Sequence, residues 1–145
     1  MKILSIDTSC DETAVAITEG RRVIANVLYS QVLSHKQWGG VVPSIAKRAH
    51  EERIGWVIEE CCRKAFGSSD EVVGNAMKRI DYIAVTDGPG LAIALEVGIR
   101  KAKELALQYD KKVIPINHME GHIYSCHVQN SKGNPPRQFE FPWIS

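Results

Sequence analysis

Lys2-Ile3-Leu4-Ser5-Ile6-Asp7-Thr8-Ser9-Cys10-Asp11-Glu12-Thr13-Ala14-Val15-Ala16-Ile17-Thr18 is the stretch that decides the fold. Two β-rich runs, Lys2–Ile6 and Thr13–Thr18, flank the polar segment Asp7–Glu12, and a third, Val23–Tyr29, follows the turn signal Glu19-Gly20-Arg21. Short strands joined by tight polar turns predict an antiparallel β-meander.

Beyond the meander, Ser34–Pro43 reads as a loop containing Gly39 and Gly40. The pattern then becomes helical: Ile54, Val57, Ile58, Cys61 and Ala65 recur on one face, with Glu51, Glu52, Glu59, Arg63 and Lys64 off it. A loop at Gly67–Asp70 and a polar stretch lead to Tyr82-Ile83-Ala84-Val85, an apolar run suited to a buried strand. After Thr86-Asp87-Gly88-Pro89-Gly90 comes an Ala- and Leu-rich helix from about Leu91 to Gln108, then a strand over Lys112–Ile116. Met119–Val128 has the makings of a short helix. Residues 130–138, with Gly133, Pro135 and Pro136, read as a loop, and 139–145 as the start of an interrupted strand. The order β-β-β-α-β-α-β predicts an α/β lobe of the ribonuclease-H-like kind shared by actin, sugar kinases and heat-shock ATPases. Fold order alone assigns no function.

A length of 145 residues suits one lobe with its own core, spanning 1–145. No apolar run approaches the ~18 residues of a membrane span, and Met1–Ile6 is too short for a secretory core, so no membrane partner is expected. Cys10, Cys61, Cys62 and Cys126 show no CxxC spacing, and the adjacent pair is poorly placed for a disulfide framework. Reduced thiols in a cytoplasmic protein are the plain expectation. A formal charge of +1 and scattered basic pairs supply no general footprint for nucleic acid.

Three constellations carry possible chemistry. Asp7–Thr13 crowds three carboxylates among hydroxyls, which suits a hairpin facing phosphate or organising a cation, and equally an ordinary polar turn. Gly88-Pro89-Gly90 lies between strand and helix, where backbone can approach an anion at a helix start, although a tight connection explains it as well. It has neither the lysine of a P-loop nor the spacing of a Rossmann fingerprint. His118-Met119-Glu120-Gly121-His122 places two imidazoles four residues apart, able to reach one cation from one helix face. Glu120 stands two residues past the first histidine, off the metal side, which opposes a zincin-type peptidase. Two histidines leave a divalent metal incomplete, so a further oxygen must come from elsewhere. His35 and Trp38 could present a substrate-facing loop or simply pack, while His50 and His127 read as surface or satisfied core histidines.

Taken together, Ile6–Ala16, Tyr29-Ser30-Gln31, Gly39–Pro43, Thr86–Leu91 and His118–His122 resemble the tRNA threonylcarbamoyltransferase family, once called O-sialoglycoprotein endopeptidases. The resemblance implies the first lobe of an enzyme that transfers the threonylcarbamoyl group of threonylcarbamoyl-AMP to N6 of the adenosine beside the tRNA anticodon. It implies His118 and His122 as ligands of one divalent metal, iron or zinc, completed by an aspartate of a second lobe. Asp11 and Glu12 would be catalytic, Glu12 as proton acceptor. Thr8, Ser9, Cys10, Gly88, Pro89 and Gly90 would border the adenine nucleotide. Expected partners are tRNA, an inactive paralogue and a small P-loop ATPase. The paralogue itself lacks the metal histidines, so His118 and His122 oppose reading this chain as that non-catalytic partner. Ser44, Trp38 and Ala92-Ile93-Ala94 depart from the family pattern, and family members are about twice as long. A lobe on its own is therefore expected to be inactive, and its uncovered apolar surface favours self-association.

Overall fold

The computed structural model describes residues 1–132. Strands β1 (Lys2–Asp7), β2 (Glu12–Glu19) and β3 (Arg22–Ser30) form the meander, and β4 (Tyr82–Gly88) and β5 (Lys112–Asn117) extend it. The sheet order is β3-β2-β1-β4-β5, with β1 antiparallel to β2 and β2 to β3, whereas β1, β4 and β5 run parallel. Parallel neighbours require crossover helices, and these are α2 (Pro43–Phe66) before β4 and α4 (Ala92–Tyr109) before β5. The expected order and the ribonuclease-H-like α/β class hold.

Alternation along the strands sorts the two faces of the sheet. Leu4, Ile6, Val15, Ile17, Ala25, Val27, Ile83 and Val85 are buried toward α2 and α4, which pack against each other and against that face. The helices answer with Ile54, Val57, Ile58, Cys61 and Cys62 from α2 and Val97, Ala102 and Leu105 from α4. The helical stripe read from the sequence is therefore the core stripe, and it starts earlier, at Ala46 and His50, because Pro43 opens α2 in its first turn. Ser5, Asp7, Ala14, Ala16, Ala84 and Thr86 line a hollow of about 240 Å³ on the sheet, together with Ile116 and Gly121.

Two segments differ from expectation. Between β3 and α2, the chain is not wholly loop: α1 (Val32–His35) and a single 3-10 turn (Lys36–Trp38) occupy it. After Gly67–Asp70, the stretch read as polar contains α3 (Val72–Met77), whose Ala76 and Met77 enter the core. A glycine and two β-branched residues in six give little local helical signal, and burial of one face supplies what propensity does not. The short helix expected at Met119–Val128 is α5 (His118–Ser125), begun one residue earlier because Asn117 caps it. Gln129 bridges Arg22 at the outer strand β3. Most of the loop at 130–138 and all of the strand at 139–145 lie outside the described residues. Among the described residues, no helix is long and apolar enough to cross a membrane.

Candidate functional site

Because β1, β4 and β5 are parallel, their carboxyl ends gather at one edge of the sheet, where open α/β folds bind ligands. β1 ends at Asp7, β4 at Gly88 and β5 at Asn117, so three segments separate in sequence deliver their next residues to one place.

The turn after β1 is wedged between the starts of two helices. Thr8 is 1% exposed; its Oγ1 donates to the Ala94 carbonyl of α4 at 2.8 Å and accepts from the Gly98 N–H at 3.2 Å. Ser9 O accepts from Leu91 N–H at 2.8 Å. This approach demands glycine twice: a Cβ on Gly90 would stand 2.6 Å from Ser9 O, and one on Gly98 would stand 2.6 Å from Thr8 Oγ1. Thr8 is thus engaged with α4, and Gly90 seats the turn.

The other side of the turn meets α5. Asn117 Oδ1 accepts from the N–H groups of Met119 and Glu120 at 2.9 and 3.3 Å, an N-cap that fixes where α5 begins. That start puts His118 in the first turn and His122 one turn on. Their Nε2 atoms stand 2.9 Å apart with the rings edge to face. His118 Nδ1 lies 2.9 Å from Asp7 Oδ2 and 3.2 Å from Ser9 Oγ. Asp7 Oδ1 accepts from Ser9 N–H at 2.8 Å. Burial pushes the Asp7 carboxyl up, but hydrogen bonds from Ser9, His118 and Thr86 outweigh it and hold the group below its usual range. Asp7, Thr86, Ile116, Asn117, His118, Gly121 and His122 line a cleft of about 230 Å³.

The two Nε2 atoms are closer than twice the ~2.0–2.1 Å of a Zn–N bond, so one ion can contact both, and neutral imidazoles suit iron or zinc. The donor set fits a metal and leaves it incomplete. Among the described residues, no third histidine, cysteine or carboxylate completes a metal-holding group.

The acidic pair singled out from the sequence sits elsewhere on the turn. Asp11 is tied through its carbonyl to Gln31 N–H at 2.9 Å, and Glu12 is the exposed first residue of β2, paired with Ser30. Among the described residues, Asp7 is the carboxylate that reaches the histidines. In the sequence Asp7 is one of three carboxylates in the turn, and the signal that singles it out is its place as the last residue of a strand parallel to two others. Cys10 is exposed, and partial burial together with Asp11 pushes its thiol up, which disfavours the thiolate.

Sequence reading also missed a buried polar chain behind this turn. His50, fully buried on α2, approaches Thr13 Oγ1 at 2.7 Å and Gln31 Nε2 at 3.2 Å through Nδ1, and the Cys10 carbonyl at 3.1 Å through Nε2. Gln31 Oε1 lies 3.3 Å from His35 Nε2, and His35 Nδ1 accepts from Val42 N–H at 3.4 Å. One assignment of protons satisfies every contact: His50 and His35 both carry hydrogen on Nε2. Of the two readings left open for His50, surface or satisfied core histidine, the second holds. His35 is buried, while Trp38 stays 60% exposed.

Residues 22–144 match the family model TsaD, tRNA N6-adenosine threonylcarbamoyltransferase. Proteins named tRNA N6-adenosine threonylcarbamoyltransferase are close relatives. The one from Staphylococcus saprophyticus is 44% identical over 144 residues, which is 99% of this chain and 38% of that protein. The one from Staphylococcus haemolyticus is 48% identical over 128 residues, or 88% and 35% respectively. The chain therefore spans little more than a third of the relatives it matches. Among solved structures, YeaZ from Pseudomonas aeruginosa superposes with a TM-score of 0.61 at 19% identity, over 85% of this chain and 48% of that one. That likeness concerns the fold. Matched over most of its length by the family model and by these relatives, the chain belongs to the tRNA N6-adenosine threonylcarbamoyltransferase family.

Proposed function

We propose that this chain forms the metal-histidine wall and one side of the nucleotide cleft in an enzyme that modifies tRNA, moving the threonylcarbamoyl group of threonylcarbamoyl-AMP to N6 of the adenosine beside the anticodon. The observation that carries the reading is the pair of Nε2 atoms 2.9 Å apart in a cleft at the carboxyl ends of β4 and β5. His118 and His122 would hold one divalent metal, with an aspartate from beyond these residues as a further ligand. When bound, that metal would supply Lewis-acid polarisation of the donor and a template for it. Ser9, Cys10 and Gly88–Gly90 would border the adenylate near the positive end of α4. Thr8 would serve the nucleotide only indirectly, by fixing the turn. In the transfer, the N6 amine bonds to the carbamoyl carbon and AMP departs with the electron pair of the broken bond. The amine proton would pass to Glu12, the exposed carboxylate of the same turn, with Asp11 ordering the turn beside it. The same reading brings tRNA, an inactive paralogue and a small P-loop ATPase as partners, in the cytoplasm.

The test is nucleoside mass spectrometry of digested tRNA after reaction with the full-length enzyme. Replacing either histidine, His118→Ala or His122→Ala, removes several kcal/mol of Lewis-acid stabilisation and lowers product formation by about 100-fold or more. The 145-residue chain alone gives no product. Normal product from the double histidine variant, or turnover by the chain alone, refutes the reading.

A further inference from the structure

We propose that Asp7 is a positioning residue: its carboxylate holds His118 as the Nδ1–H tautomer and so leaves the His118 Nε2 lone pair turned toward His122 and a shared cation. The inference rests on the metal reading above for its purpose, but its geometry needs no metal. An ionised carboxylate only accepts hydrogen bonds, so the 2.9 Å contact between Asp7 Oδ2 and His118 Nδ1 requires the proton on Nδ1. In the neutral ring Nε2 is then the acceptor. The neighbouring His122 Nε2 at 2.9 Å supplies the matching N–H when no ion is present, and on cation binding that proton can move to its own Nδ1. Metal-binding histidines depend on such partners, which fix tautomer and ring orientation together.

Asp7 is itself held in place. Its other oxygen accepts from Ser9 N–H at 2.8 Å, and Ser9 O is in turn clamped by Leu91 N–H at 2.8 Å. The carboxylate therefore cannot turn freely, and its two oxygens have assigned tasks. This makes a near-isosteric change informative. In Asp7→Asn, the amide oxygen must face the Ser9 N–H, because an NH₂ there would meet a donor. The amide NH₂ then faces His118 Nδ1 and makes it an acceptor, which drives the imidazole proton to Nε2. The shape of the site is kept and the tautomer is reversed. A residue that merely packs or braces the turn has no such effect.

The experiment combines long-range ¹⁵N–¹H NMR of the histidine rings in the metal-free chain with Zn²⁺ titration of the full-length protein by calorimetry, for wild type, Asp7→Asn and Asp7→Glu. Wild type is expected to show His118 with hydrogen on Nδ1 and Asp7→Asn with hydrogen on Nε2. The Zn²⁺ dissociation constant should rise about 10–100-fold in Asp7→Asn, and Asp7→Glu, which keeps an acceptor-only group, should return most of the affinity. An Nε2–H tautomer in wild type overturns the proposal, and that measurement stands even should a variant fail to fold. An unchanged tautomer and unchanged affinity in Asp7→Asn overturn it as well. Wild type with hydrogen on Nδ1 but no Zn²⁺ binding that His118→Ala or His122→Ala abolishes sinks the metal reading, and with it the role in metal binding, while showing that the orientation itself was correct.

Discussion

Gly98→Ala sets two opposing effects against each other, and the structure decides which prevails. Alanine in a helix interior is favoured over glycine by about 0.8–1.0 kcal/mol, so at an ordinary position of α4 the change would stabilise. At position 98 the new methyl would stand 2.6 Å from Thr8 Oγ1, 3.5 Å from Thr8 Cγ2 and 3.6 Å from Ile6 Cγ2. Thr8 cannot withdraw, since it is 1% exposed and its hydroxyl both donates to Ala94 O and accepts from Gly98 N–H. Overpacking a tight core contact costs about 1–3 kcal/mol, and each buried hydrogen bond displaced costs about 0.5–1.5 kcal/mol more. Mid-range values leave a net loss of about 2–3 kcal/mol after the helical gain. Urea unfolding of the chain should show this as a midpoint lower by about 1–2 M. A double cycle with Thr8→Ala gives the cause: removing the threonine side chain makes room for the methyl, so the double variant should lose at least about 1 kcal/mol less than the sum of the single changes. An unchanged or raised midpoint for Gly98→Ala, or strict additivity in the cycle, would refute the close-approach argument for this turn.

Burial lowers the pKa of His50, with the Cys10 carbonyl opposing, so the folded chain keeps the ring neutral while the unfolded chain takes up a proton below about pH 6.5. The unfolded state then binds more protons, and stability is full above that pH and falls as pH drops below it, by at most about 1.4 kcal/mol per unit. Urea midpoints measured at pH 7.5 and 5.5 should fall less in His50→Gln than in wild type; equal slopes would mean that His50 does not carry the effect. Burial also pushes the Cys61 and Cys62 thiols up to about 12 and about 11, while Cys10 and Cys126 are accessible to solvent. A thiol reagent should therefore modify Cys10 and Cys126 in the native chain and Cys61 and Cys62 only after unfolding; rapid native labelling of the adjacent pair would contradict the core described for α2.

How far the local sequence speaks differs between elements. The β-rich runs Lys2–Ile6 and Thr13–Thr18 are readable from their composition and bounding turns, and the stripe Ile54-Val57-Ile58-Cys61 from its period, which burial of one helix face imposes on residues close in sequence. The same locality explains the histidine pair, for a spacing of four on a helix brings His118 and His122 together without help from the rest of the chain. Helix α3 was not readable, since Val72–Met77 folds for the sake of the core contact made by Ala76 and Met77 and not through its own propensity.

By itself, then, the sequence determined the order of the five strands and the two long helices, the family, and the pairing of two imidazoles one helical turn apart, because each is encoded within short stretches of neighbouring positions. Only the tertiary structure decided what surrounds them. Asp7 meets His118 across 111 positions, Thr8 meets Gly98 across 90, and Thr13 meets His50 across 37. No periodicity relates residues so far apart; they are joined because parallel β1, β4 and β5 end at one edge and α2 and α4 cover one face. The choice of Asp7, in place of Asp11 or Glu12, as the carboxylate facing the histidines follows from where strand β1 stops and from which side of the sheet its last side chain points.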